Sequence, residues 1–434
     1  MSDTVAAPAV ETEEEAPERG RRGGPTSAGR AVAFGVIFLV LAAIMIFVFG
    51  LGTPSGEDAT LVINPPDPSI ELPDIELPAR ATALVLGVVT AILGGIQLAR
   101  GLGRRTYLVL GLVLLFFIIA MLAWAAADAS TNVYGLLKGS LRRSIPIAMG
   151  ALAGVLCERS GVINISIEGM MLSGAFTGAI VASASDNLWA GLIAGVIVGL
   201  LFGAVLAGLS INFRVDQIIG GTFINIFALG MTSYLTARVL VPYPDLNEPG
   251  SFSNFAVPGL SEVPIVGPLL FDNTVYVYLL FILVAAIAYA LFRTRWGLRV
   301  RSVGEHPKAA DTVGIDVWRT RWRAVLLGGA VAGLAGTFFS LDSAGSFQEN
   351  MTAGKGFIAL AALIFGRWHP VGALGAALVF GFAEELQGRL AILQTPIPSE
   401  FLLMTPYIVT IFVVAGLVGR ARPPAADGQP YVKQ

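Results

Sequence analysis

Residues 188–210 contain no charged side chain, and a helix of that length crosses a bilayer, which takes about 20 mostly apolar residues. Similar apolar runs occupy 31–52, 81–99, 106–127, 141–157, 163–184, 216–240, 275–292, 324–341, 371–390 and 402–419, with a shorter one at 357–366. Lipid offers no hydrogen bonds, so each run must satisfy its own backbone, and helices do this. A strand-built barrel would show alternating segments of about ten residues instead. The expectation is all-α: a polytopic transmembrane helical bundle of about 12 spans, including interrupted or re-entrant helices.

The charged fraction, 13%, against roughly 25% in a typical soluble domain, agrees with this. The 51 glycines suit close packing of spans. Cys157, the one cysteine, rules out a disulfide framework and a thiolate metal cage, and its apolar run marks it as a small buried residue. The two histidines, His306 and His369, form no metal cluster. Neither a metal nor a nucleic acid is expected as a partner.

Charge placement orients the chain. Residues 1–30, acidic through 11–18 and then basic at Arg19, Arg21, Arg22 and Arg30, read as a disordered cytoplasmic tail. Residues 31–130 hold three spans. Loops 53–80 and 241–274, rich in Pro and acidic residues, fall outside; Arg100–Arg105, Arg214 and the island 301–323 fall inside. The spans from 131 to 421 then form a core, and 422–434 a second cytoplasmic tail. The expected location is the cell membrane, with both termini inside.

The island carries its own design. Pro307 suits a first helical turn, Lys308 to Val313 can form a short helix, and Gly314 can close it. Ala309 and Ala310 leave that helix a smooth side for a docking partner. No Gly-x-x-x-x-Gly-Lys-Ser/Thr pattern occurs, so the chain has no visible nucleotide-hydrolysing site of its own. Metalloprotease, nucleophile-elbow and paired-Cys motifs are missing too, and an intramembrane enzyme is unsupported.

Two interruptions stand out. After Gly150-Ala-Leu-Ala-Gly154, the stretch from Glu158 leads through Asn164 and Glu168 to a run beginning at Gly169. After Gly329-Ala-Val-Ala-Gly333, the stretch Phe347–Gly354 leads to a short run beginning at Gly356. Matching interruptions in two halves are a habit of transporters, although Gly/Ala patterns also recur by chance. Asn164 and Glu168, four apart, would share a helix face, either beside a translocation path or bonded to a neighbouring helix. Asn225 reads as glue between helices. For Glu384 and Glu385 a solvated helix end is at least as good a reading as a site.

Three segments carry a resemblance. Cys157–Gly169, Arg301–Ile315 and Gly356–Pro370 look like the permease subunits of bacterial ABC importers, in the family order. The nearest branch is general nucleoside uptake, related to the ribose and branched-chain amino-acid permeases. The resemblance covers roughly residues 135–432 and leaves the first three spans out. It implies a coupling helix in the island, with Gly304, Glu305, Pro307, Ala309, Ala310 and Gly314 gripped by an ATP-hydrolysing partner. ATP and Mg would bind there, and this chain would bind no cofactor. It further implies a second homologous permease, giving a heterodimer, and an extracytoplasmic substrate-binding lipoprotein. For a nucleoside, Asn164, Glu168, Phe176, Phe223 and Asn225 are side chains of suitable type. A permease for sugars or branched-chain amino acids remains open. So does an ion-coupled secondary transporter, with Glu168 or Glu384 as its coupling carboxylate.

Overall fold

Fourteen helices run through residues 27–66, 70–393, 404 and 422–433, the part of the chain that the computed structural model describes. They fall into two units. The first holds α1 (Ser27–Ala43, continued by a wider turn to Gly50), α2 (Ala79–Ala99) and α3 (Thr106–Ala125). Helix α1 packs on α2 and α2 on α3. Phe34 meets Tyr107 edge-on at 5.8 Å, and Phe49 stacks on Trp124 at 5.0 Å. The expected tail 1–30 is shortened, because nothing between Ser27 and Arg30 stops the helix from starting early; residues 1–26 lie outside the described part.

The second unit begins with α4 (Val133–Glu158), α5 (Ile167–Ser185), α6 (Leu188–Ala207) and α7 (Gln217–Leu235). It continues through the short α8 (Val266–Phe271), α9 (Val275–Arg293), α10 (Arg295–Glu305) and α11 (Pro307–Thr312). It closes with α12 (Val317–Phe338), α13 (Lys355–Phe365) and α14 (Pro370–Ile392). Helix α12 is central, against α4, α5 and α6. Gly195, Gly199 and Gly203 of α6 face Gly329 and Gly333 of α12 so closely that a Cβ at Gly333 would overlap the Gly195 carbonyl. Small residues every fourth position are what let two membrane helices touch backbone to backbone.

Eight helices are long and apolar enough to cross a membrane: α1, α2, α3, α5, α6, α7, α9 and α12, several with short extensions. Helices α4 and α14 have spanning length but carry charged pairs, and α13 has 11 residues. The run 402–419 lies outside the described residues. The chain is a multi-pass membrane protein. Its two ends can be told apart by chemistry: a basic end with α10, α11 and the start of α12, and a loop end with residues 244–274 and the start of α4.

The two interruptions meet. Helix α4 stops at Glu158, and the chain turns at Gly161 (φ 85°) and stays irregular through Asn164 before α5 starts. Asn164 is therefore not on the helix that carries Glu168, and the shared face expected from their spacing does not exist. From the level of Glu168, α5 climbs beside α12 toward the loop end. Helix α13 descends beside α4 toward the basic end, with a Cβ at Gly150 meeting Ala359 and one at Gly154 meeting Leu363.

Candidate functional site

At the meeting point Glu168 is 9% exposed and fully engaged. Its carboxylate accepts hydrogen bonds from Thr352 Oγ1 (2.6 Å), Gly354 N (2.8 Å) and Gly356 N (2.6 Å). The last two are free amides at the start of α13, and Glu168 also sits in the first turn of α5. Two positive helix ends thus surround one negative charge, the arrangement that makes an intramembrane carboxylate tolerable. Asn225 ties the same break from α7, accepting from Gly169 N (2.8 Å) and donating to the Ile165 carbonyl (2.9 Å). Asn164, fully buried, accepts from Ser166 Oγ at 2.7 Å.

Of the five residues proposed for a path, Glu168 and Asn225 come together as a knot that satisfies broken backbone, and Asn164 lies in the same break bonded to the Ser166 side chain. The other two stand apart. Phe176 is buried and meets Phe347 edge-on at 5.0 Å, whereas Phe223 is 62% exposed on α7, stacked on Phe227.

A different group of side chains surrounds a half-open cavity of about 290 Å³. Arg142 and Arg143 of α4, Lys355 of α13, and Glu384 and Glu385 of α14 form its polar walls; Phe338 and Phe339 at the end of α12 form its aromatic one. Arg143 holds both acids, Glu385 through Nε (2.7 Å) and Glu384 through Nη1 (3.0 Å). Lys355 also pairs with Glu384, and Arg389 with Glu385 at 3.0 Å. Arg142 reaches Asp342, pairing with its carboxylate at 3.0 Å and bonding its backbone carbonyl at 2.8 Å. A second cavity of about 310 Å³ shares Arg142 and Gly139 with the first and extends to Asn254 and Asn273 at the loop end. Glu384 and Glu385 are thus not a solvated helix end. They are paired part-way along α14 with Arg143, more than 200 residues away, a link no local pattern reveals. The available signal was the Arg142-Arg143 pair, which falls at the edge of an apolar run when only hydropathy is read.

The cluster is open to one side, since the side chains of Arg142 and Arg143 are 51% and 43% exposed. Charged groups among membrane spans face water or protein, not hydrocarbon. Chemically the site offers flat apolar rings opposite mixed donors and acceptors. That suits binding and release of a small amphiphilic solute.

At the basic end, α11 forms as expected. His306 Nδ1 accepts from Ala309 N at 3.3 Å, Pro307 stands first, and Gly314 turns the chain at φ 84°. Gly304 is buried where a Cβ would overlap the Arg159 carbonyl, and Glu305 is exposed. Ala309 faces out, but Ala310, 3% exposed, faces inward against Val303 and Val317, so the two alanines do not form one smooth outer side.

A multi-pass helical bundle with broken helices and a charged cavity among them has the architecture of a transport permease. The chain belongs to the permease-component family of branched-chain amino acid transport systems, whose model matches residues 136–414. It is 42% identical over 309 residues to the guanosine ABC transporter permease protein NupQ of Bacillus subtilis, covering 69% of this chain and 96% of that protein. It is 38% identical over 300 residues to the nucleoside ABC transporter permease protein NupC of Lactococcus lactis, covering 67% and 94%. A putative glucose ABC transporter permease protein of Haloferax volcanii, TsgC13, is 33% identical over 261 residues, covering 59% and 77%. No solved structure matches the chain significantly. Members of the family are transport subunits, not enzymes.

Proposed function

We propose that this chain is the transmembrane permease subunit of an ATP-driven nucleoside importer in the cell membrane, with both termini in the cytoplasm. One observation carries the reading: a charged, aromatic-walled cavity lies among otherwise apolar spans, in a chain whose relatives are named for guanosine and nucleosides. A nucleoside joins a flat base to a hydroxyl-rich ribose. The base can lie against Phe338 or Phe339, while Arg143, Lys355 and Glu384 exchange hydrogen bonds with the sugar.

The partners follow from what the chain leaves exposed. The outer face of α11, with Lys308, Ala309, Thr312 and Val313, takes the groove of an ATPase subunit that binds ATP and Mg. Gly304 and Ala310 seat the helix from within, and Gly314 lets the chain leave it. A second, homologous permease covers Arg142 and Arg143 and closes the cavity, forming a heterodimer. An extracytoplasmic substrate-binding lipoprotein delivers the nucleoside at the loop end. A sugar is the second reading, favoured by the relative named for glucose.

The test is uptake of labelled guanosine and glucose by the chain reconstituted with its ATPase, second permease and binding protein. ATP-dependent guanosine uptake is expected, with a loss of at least about tenfold in Arg143→Ala, which takes one of its two cations from each of Glu384 and Glu385. Glucose uptake that guanosine does not compete for moves the substrate to sugar. Uptake without ATP that follows a proton gradient sinks the ABC reading altogether.

A further inference from the structure

Residues 422–433 look in sequence like a free polar tail, yet the segment is fastened across the basic end. Ala426 N donates to the Gly304 carbonyl at 2.8 Å, and Ala425 N to Glu305 Oε2 at 3.2 Å. Arg321, 2% exposed near the start of α12, donates from Nε to the Ser160 carbonyl (3.1 Å) and from Nη1 to the Gln429 carbonyl (2.9 Å). Gly161 leaves room for the Ala426 carbonyl, which a Cβ there would meet at 2.9 Å. Asp427 hydrogen-bonds the carboxyl of Glu158 at the end of α4, and Trp368 Nε1 donates to the same carboxyl at 2.5 Å. Finally Tyr431, 7% exposed, packs with Val303, Ala310 and Val317.

Those contacts matter because α11 has only six residues. Helices that short do not hold themselves, and their attitude is set by what packs on them. The inward side of α11 rests on α10, on α12 and on Tyr431. We propose that residues 424–431 act as a clasp that positions α11 for its ATPase partner, so that the stroke of the ATPase is passed to α4 and α12 rather than lost in movement of the helix. This rests on reading α11 as the ATPase-docking element.

The clasp is also built to loosen. Two acids that share a hydrogen bond need a proton between them. Burial pushes the Asp427 carboxyl from its ordinary 3.8 up to about 7, with Glu158 of α4 and Arg321 of α12 as its charged neighbours. The raised value favours the fastened form in acid. Burial raises the Glu158 carboxyl too, to about 8, so fastening is fully present below the ordinary carboxylate range and is lost as pH rises through the raised values of the pair, about 7 and about 8.

The experiment uses the complete transporter in proteoliposomes and reads nucleoside imported per ATP hydrolysed. Tyr431→Ala should lower that ratio several-fold while the ATPase stays bound, and Tyr431→Phe, which keeps the packed ring, should restore it. Asp427→Asn mimics the protonated acid and disturbs little. It should flatten the fall in the ratio that the natural chain should show as pH rises through the raised values of the pair, about 7 and about 8. If Tyr431→Ala assembles and keeps the natural ratio, or if Asp427→Asn leaves the pH profile unchanged, the clasp is wrong. A natural complex with no ATP-dependent uptake instead defeats the functional reading on which it rests.

Discussion

Helices α3 and α12 have 20 and 22 residues and lie in different units. The more apolar of the two, α3, has 28% of its spanning window buried within the chain, whereas α12 has 83%. Hydropathy therefore does not decide which span goes to the middle. Lipid is as apolar as leucine, so a leucine-rich helix gains little from leaving it. What places α12 centrally is its glycines, which let α6 and α5 come close enough for dispersion contacts along the whole helix.

The largest expected effect tests that directly. Gly333→Leu on α12 must push α6 away backbone to backbone, costing more than the ~1–3 kcal/mol of ordinary overpacking. No monodisperse protein should be recovered in detergent. Gly111→Leu on α3, where a side chain meets open space, should leave the melting temperature unchanged. Equal tolerance at the two sites breaks the comparison.

A medium effect separates their buried polar groups. Glu168→Gln sets an amide NH2 against the donors at the start of α13 and should cost about 1.5–3 kcal/mol, read as a fall of several degrees in melting temperature. In the first unit, Gln97 accepts from Leu102 N at 3.1 Å and donates to the Ala31 carbonyl at 3.2 Å. Gln97→Leu should cost only about 1 kcal/mol, because these are neutral bonds near a helix end.

The smallest effect concerns the whole first unit. NupQ is matched over 96% of its length by 309 residues of this chain, and the family match begins at residue 136. A chain lacking residues 1–127, which removes nearly all of the first unit and residues 61–75 of the second, should therefore keep its uptake. Loss of uptake with an intact fold would give the three extra spans a role in transport.

Much of the architecture could be read in advance because it is local. Apolar runs, the break after Glu158, the short run before Pro370 and the capped helix at Pro307 each announce themselves within a few residues. The pairings of Arg143 with Glu385, Arg142 with Asp342 and Tyr431 with Ala310 did not, since each joins residues more than 100 positions apart. The acids of α14 looked solvated and residues 422–434 looked free for the same reason. Asn164 and Asn225 were legible as residues that matter, but the partners of Asn225 are backbone groups exposed only once the helix breaks, and Asn164 turns to the Ser166 side chain within the break.

One carboxylate, that of Glu168, ends the irregular gap in both broken helices, and those helices leave it in opposite directions. Sliding either one along its axis would strip hydrogen bonds from the start of α13. The two helices are thereby pinned like the arms of a lever at a common fulcrum. Tilting about the pin costs little, and translation past it costs a great deal. An opening that alternates between the two faces of the membrane would then be a rocking of these arms, with the stillest atoms of the protein lying near the carboxylate of Glu168.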